Sequence, residues 1–169
     1  MPEPREHAAN RNMLERILRQ IPGFRGYLEK EYRRDSDALQ REWLSDRLQR
    51  SKSGLDELAR GLTEAGQLDE LPAVERLRGR IDKLSARIRG AMRGYSGIFD
   101  LVRIDESVLD RVYEYDAALV DQVDEFGSMV EALATRPDDA NTAIRDLLDR
   151  VEAFQRVWDD REDLLKGLD

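Results

Sequence analysis

The sequence predicts an all-α fold: an elongated antiparallel helical bundle, coiled-coil-like, with four long helices plus a short N-terminal helix. Three observations predict it. Leu, Val and Ile recur at helical spacing along most of the chain. Only five prolines interrupt 169 residues. Charged residues make up 38% of the chain, against roughly 25% in an average globular protein, which suits long solvated helix faces.

The elements follow in order. Residues 1–8 read as a flexible tail, and residues 9–169 as one helical-bundle domain. A short amphipathic helix over Ala9 to Gln20 carries Met13, Leu14, Ile17 and Leu18 on one side and stops at Pro22-Gly23. The second and longest helix is expected from Arg25 to Ala65, through Leu28, Tyr32, Leu39, Trp43, Leu44, Leu48, Leu55, Leu58 and Leu62. Its apolar stripe drifts between registers, and Ser51-Lys52-Ser53-Gly54 predicts a bend. Gly66 suits the residue just past a helix end, and Leu68 to Pro72 form the turn.

The third helix, Ala73 to Arg93, places Val74, Leu77, Ile81, Leu84 and Ile88 three and four residues apart, the seam of helices that pack knobs into holes. Arg76, Arg78, Arg80, Lys83, Arg87, Arg89 and Arg93 occupy its other faces, opposed only by Glu75 and Asp82. The fourth helix is expected from an Asp105 N-cap to about Ala134, through Leu109, Val112, Leu119, Val123, Phe126, Val130 and Leu133. Arg136 to Asp139 make the turn, with Pro137 at a first helical position. The last helix, within 137–169, uses Ala140, Ile144, Leu147, Val151, Phe154, Trp158, Leu165 and Leu168 and closes an acidic C-terminal hairpin.

Charge divides along the chain. Residues 1–93 hold 20 Lys and Arg against 16 Asp and Glu, a balance of +4. Residues 94–169 hold 8 against 20, a balance of −12, and the two together give the net −8. Basic and acidic helices that lie side by side would neutralise one another in part.

Two charges break the apolar stripes of the hairpin. Asp116 sits between Val112 and Leu119, and Arg161 follows Trp158 in a slot otherwise apolar. Counting back from a turn that brings Leu133 near Ala140 sets the two at matching heights. They are expected to form a buried ion pair that sets register, with Tyr113 or Tyr115 as hydrogen-bond neighbour.

Chemistry leaves few traces. There is no cysteine and one histidine, His7, so thiolate ligands and the usual nucleophile–histidine pairs are missing. No Cys/His zinc spacing, Glu-x-x-His pair, calcium loop or phosphate-loop lysine occurs. No catalytic residue, cofactor or metal is therefore expected, and the chain is read as a non-enzyme. Nucleic acid is not an expected partner, because aromatics are not interleaved with the basic residues of the third helix. No apolar run approaches a membrane span, and no apolar stretch follows Met1 to Glu6 as in a signal peptide. The expected location is the cytoplasm.

Two glycine–aromatic elements break the helical pattern: Gly23-Phe24-Arg25-Gly26-Tyr27 and Gly94-Tyr95-Ser96-Gly97-Ile98-Phe99. Phe24, Tyr27, Tyr95 and Phe99 are expected to seal one bundle end or to anchor a partner there, with Trp43 as a further interface residue. The run from Ile21 to Asp35 (IPGFRGYLEKEYRRD), the GYSGIFD segment and Tyr113 to Asp116 resemble an uncharacterised family of small bacterial helical-bundle proteins. That resemblance implies a helical bundle and no activity.

The expected function is a non-enzymatic scaffold or adaptor that works through helix faces. Its partner would be another protein or a second copy in a homodimer. The alternative is a peripheral membrane accessory protein, with Leu14, Ile17 and Leu18 entering the interface beside Arg16 and Arg19.

Overall fold

The computed structural model describes residues 4–90, 106–135 and 139–166. Five α-helices run in chain order: α1 (Pro4–Gln20), α2 (Lys30–Glu64), α3 (Leu71–Gly90), α4 (Glu106–Ala132) and α5 (Ala140–Lys166). Short 3-10 turns at Leu68–Glu70 and Leu133–Thr135 flank them. No strand occurs among the described residues.

Helices α2 to α5 form the bundle. α2 packs on α3 and α4, and α5 packs on the same two, so α3 and α4, consecutive in the chain, stand on a diagonal. Contacts near the two starts of α2 and α4 (Gln40 with Asp116) and further along (Gly54 against Val130) make these two helices parallel. Arg87 and Asp159, 2.5 Å apart near the ends of α3 and α5, make that pair parallel too. α1 lies outside, against α4.

The heptad seam expected in α3 is buried throughout, from Val74 to Ile88. The stripes of α4 and α5 are buried as well, with Phe126 and Phe154 meeting edge to face at 5.4 Å in the middle. Leu168, Pro137 and Asp105 lie outside the described residues.

Four boundaries differ from expectation. α3 begins at Leu71, inside the segment Leu68 to Pro72 expected as the turn. α1 begins at Pro4, not Ala9. Proline at a first helical position carries a pre-set φ and loses no hydrogen bond. α2 begins at Lys30, not Arg25. Gly23 and Gly26 adopt φ of +87° and +85°, left-handed conformations that cannot continue a helix. The last helix starts at Ala140. α2 ends as expected: Gly66 (φ +73°) donates to Thr63 and Gln67 to Leu62 at 2.9 Å, the paired bonds of a Schellman cap.

α2 runs as one unbroken helix through Ser51–Gly54. Gly54 instead marks the closest approach of α2 to α4. A Cβ there would clash with the Val130 carbonyl and stand 2.6 Å from Glu131 Cα. Gly127 plays the reciprocal part on α4. The Arg47 guanidinium from α2 lies across it to reach Asp124 and Glu131, both at 2.8 Å.

The drift of the α2 stripe also has a cause. Its true seam is Asp37, Arg41, Leu44, Leu48, Ser51, Leu55, Leu58 and Leu62, at alternating spacings of four and three, all buried. The first two positions of that seam are charged. Of the apolar residues expected there, Leu39 and Trp43 are only half-buried and Leu28 is 70% exposed.

Candidate functional site

The bundle end that holds the start of α2 and α4 and the end of α5 is built around charge. Asp37, Gln40 and Arg41 come from α2, Asp116 from α4, and Arg161 and Glu162 from α5; all are buried. The structure brings Asp116 and Arg161 together: Arg161 Nε donates to Asp116 Oδ1 at 2.6 Å, and both side chains are fully buried. Arg161 also donates to Asp37 at 2.8 Å and to Glu162 at 3.1 Å. Arg41 donates to Asp37 and to Glu162, each at 2.7 Å, and to the Ile88 carbonyl of α3 at 3.3 Å. Both guanidiniums lie over the Trp158 ring, at 4.7 Å for Arg41 and 5.1 Å for Arg161.

The hydrogen-bond neighbour of Asp116 is Tyr27, not Tyr113 or Tyr115. The Tyr27 hydroxyl donates to Asp116 Oδ2, and Gln40 Nε2 donates to Oδ1 at 2.6 Å. Tyr113 acts one step away, accepting the Tyr27 backbone N–H at 2.7 Å. Tyr115 is half-buried against the core.

Burial is the largest influence on Asp116 and holds its carboxyl above the usual carboxylate range, with Arg161 pulling the other way. Both oxygens of Asp116 accept from donors, so the ionised form fits the site at neutral pH. Burial pushes Asp37 up too, but Arg161 and Arg41 outweigh it and its carboxyl sits below the usual range. Burial, then the Asp116 charge, pushes the Tyr27 hydroxyl well up, so it remains a phenol and a donor. Three carboxylates thus share two guanidiniums. Glu162 Oε2 and Gln40 Oε1 are buried without a hydrogen-bond partner.

This network fixes the 21–29 segment. Phe24 and Tyr27 are buried, meeting edge to face at 5.4 Å, and Tyr27 stacks obliquely on Tyr113 at 5.3 Å. The segment's backbone is held by side chains: Arg25 N–H donates to Ser36 Oγ at 3.1 Å, and the Tyr27 carbonyl accepts from Arg33 Nε at 2.6 Å. At Gly26 a Cβ would stand 2.5 Å from the Tyr113 hydroxyl. Phe24 and Tyr27 therefore pack inward and do not offer themselves as anchors. Tyr95 and Phe99 lie outside the described residues.

Held in this way, Ile21 and Pro22 wall one side of an open groove of about 590 Å³. Leu39 and the half-buried Trp43 of α2 form its floor, and Glu42, Asp46 and Arg50 rim it. Asp46 is paired with Arg89 of α3.

On α1, Ile17 is fully buried, and Met13 and Leu14 pack on the core. Arg16 pairs with Asp121 of α4. The apolar face that the membrane alternative needs is therefore turned to the bundle. Leu18, 43% exposed, and Arg19 point outward. Among the described residues no helix is long and apolar enough to cross a membrane, and no three Asp, Glu or His side chains are placed to hold a metal.

Sequence reading missed Asp37, Gln40, Arg41 and Glu162. The signal for Asp37 and Arg41 was the four–three spacing counted back from Leu62, which lands on both. No family model, curated protein or solved structure matches the chain.

Proposed function

We propose that the chain is a non-enzymatic interaction scaffold that receives a protein partner in the groove floored by Trp43 and Leu39. The half-buried Trp43 carries this reading. A large aromatic left partly exposed beside a rigid wall, inside a charged rim, has the composition of an interface anchor. The buried network supports it indirectly. Its groups are buried and hold one another, which gives the groove a rigid frame.

The test is site-specific photo-cross-linking in cells. A cross-linking side chain at Glu42 or Arg50 is expected to give adducts of defined mass. Trp43→Ala should reduce their yield by more than about tenfold, as for an anchor residue. The same probe at Glu57, exposed further along α2, should give none. Equal yields at Glu57 and at the groove would remove the reading.

A further inference from the structure

α3 and α5 lie side by side and parallel, and together they make one broad face of the bundle. With their seams turned inward, opposite charges are left outside. On α3, Arg76, Arg80 and Lys83 are exposed, and no carboxylate stands within ion-pair distance of them among the described residues. The most outward line of α3 beside them is Gly79 and Ala86, both exposed. A Cβ at Gly79 would meet nothing within 4 Å. On α5, Asp146, Asp149, Glu152, Asp160 and Asp163 are exposed, interrupted by the exposed Arg145 and Arg156, and none of these acids has an ion-pair partner among the described residues. One face therefore carries a cationic stripe and an acidic stripe, about 10 Å apart, the spacing of packed helices.

We propose that this face docks onto the same face of a second copy, about a two-fold axis parallel to the helices, so that α3 of each copy lies on α5 of the other. The charge pattern selects that axis. Rotation about an axis along the helices exchanges the two stripes and sets cation on acid. Rotation about an axis across them would stack like on like. An isologous arrangement of this kind closes at two copies.

Register follows from the structure. Arg87 and Asp159 stand level within one chain, so position 80 stands level with 152, seven residues earlier on each helix. Rotation along the helices preserves height. Arg80 of one copy therefore meets Glu152 and Asp149 of the other, and Arg76 meets Asp149. Gly79 and Ala86 allow the helices to approach. A face about 30 Å long and two helices wide offers about 600 Å² per copy, or about 1,200 Å² in all, the low end of specific interfaces. The contact should be reversible and sensitive to salt.

The inference rests on the reading of the chain as a helix-face scaffold and names one partner, a second copy. Sedimentation velocity on the full chain tests it. At low salt a concentration-dependent dimer is expected, weakening by more than about tenfold when salt is raised past the Debye-screening range. Arg80→Glu with Lys83→Glu should be monomeric, and so should Asp149→Lys with Glu152→Lys. An equimolar mixture of these two variants should recover the dimer, since each then offers what the other lacks. All four positions are exposed; should a reversal lower helicity, Arg80→Gln with Lys83→Gln carries the same comparison. A wild-type monomer at low salt, variants that keep the wild-type mass, or a mixture that stays monomeric would each overturn the proposal. Groove adducts from a monomeric chain would overturn it while leaving the scaffold reading intact.

Discussion

Replacing Arg161 with methionine keeps the length of the side chain and removes its charge. The perturbation strands Asp116, which is fully buried and accepts the Arg161 Nε bond at 2.6 Å. It also removes the bonds to Asp37 at 2.8 Å and Glu162 at 3.1 Å. Asp116 keeps two donors, Tyr27 and Gln40, and Asp37 keeps Arg41. Breaking a buried ion pair by deleting one partner costs about 3–5 kcal/mol, and the surviving donors place Arg161→Met near about 3 kcal/mol. A domain of this size is stable by about 5–15 kcal/mol, so the loss is a large share. In a thermal scan it corresponds to a fall of about 6–12 °C. Urea unfolding followed by circular dichroism measures it, with the fluorescence of Trp158, which lies beneath both guanidiniums, as a second probe. The sign with pH is a further check. Asp116 already titrates above the usual carboxylate range, and without Arg161 it rises further. The native variant then holds a proton that the unfolded chain lacks, so its stability falls as pH rises through that folded value. Its deficit against wild type should narrow on lowering the pH from about 7 to about 5. A loss no greater than that of the exposed Arg156→Met, or a deficit that widens toward acid, would refute the reasoning.

Asp37→Asn should cost about 2–3 kcal/mol at neutral pH, the scale of hydrogen bonds to charged groups. Arg161 and Arg41 hold its carboxyl below the usual range, so its stabilisation is present above the unfolded value and lost as pH falls through the folded one; urea midpoints of variant and wild type should converge below about pH 4. Gly54→Ala should destabilise by about 2 kcal/mol, because the new Cβ meets α4 backbone at Val130 and Glu131. Gly61→Ala, whose Cβ meets nothing within 4 Å, should instead stabilise by up to about 1 kcal/mol through helix propensity, and equal urea midpoints for the two would contradict the packing account.

The fold was legible wherever the seam was apolar. Val74 to Ile88, Leu109 to Leu133 and Ala140 to Leu165 all alternate three and four, and all are buried. Asp116 and Arg161 were legible for the same reason, as charges in otherwise apolar stripes. The start of α2 was not, because the positions that face inward there are Asp37, Gln40 and Arg41. An apolar count skipped them for Leu39 and Trp43, which lie beside the seam and floor the groove. Tyr27 sits in a non-helical segment with no period to announce that its hydroxyl reaches Asp116 on another element. Gly54 is ambiguous in sequence: a glycine within a helix serves equally for a bend or for a close backbone, and only the position of α4 decides.

The diagonal placement of α3 and α4 separates near contacts from far ones. Within the α2–α3 hairpin, Lys52 and Asp82 are 30 residues apart and Ser45 and Ser85 are 40. The charged end joins partners 76 residues apart at Gln40 and Asp116, and 134 apart at Tyr27 and Arg161. Closing loops of that length costs chain entropy before any bond repays it. Arg161 and Asp116, 45 apart, lie within the α4–α5 hairpin, but the bonds from α2 and the 21–29 segment are expected to form after the hairpins and to latch the finished bundle. Their contribution lies in the lifetime of the native state: in stopped-flow experiments Arg161→Met should steepen escape from the native state while refolding proceeds at the wild-type rate. A slowed refolding arm would instead place the charged end in the folding nucleus.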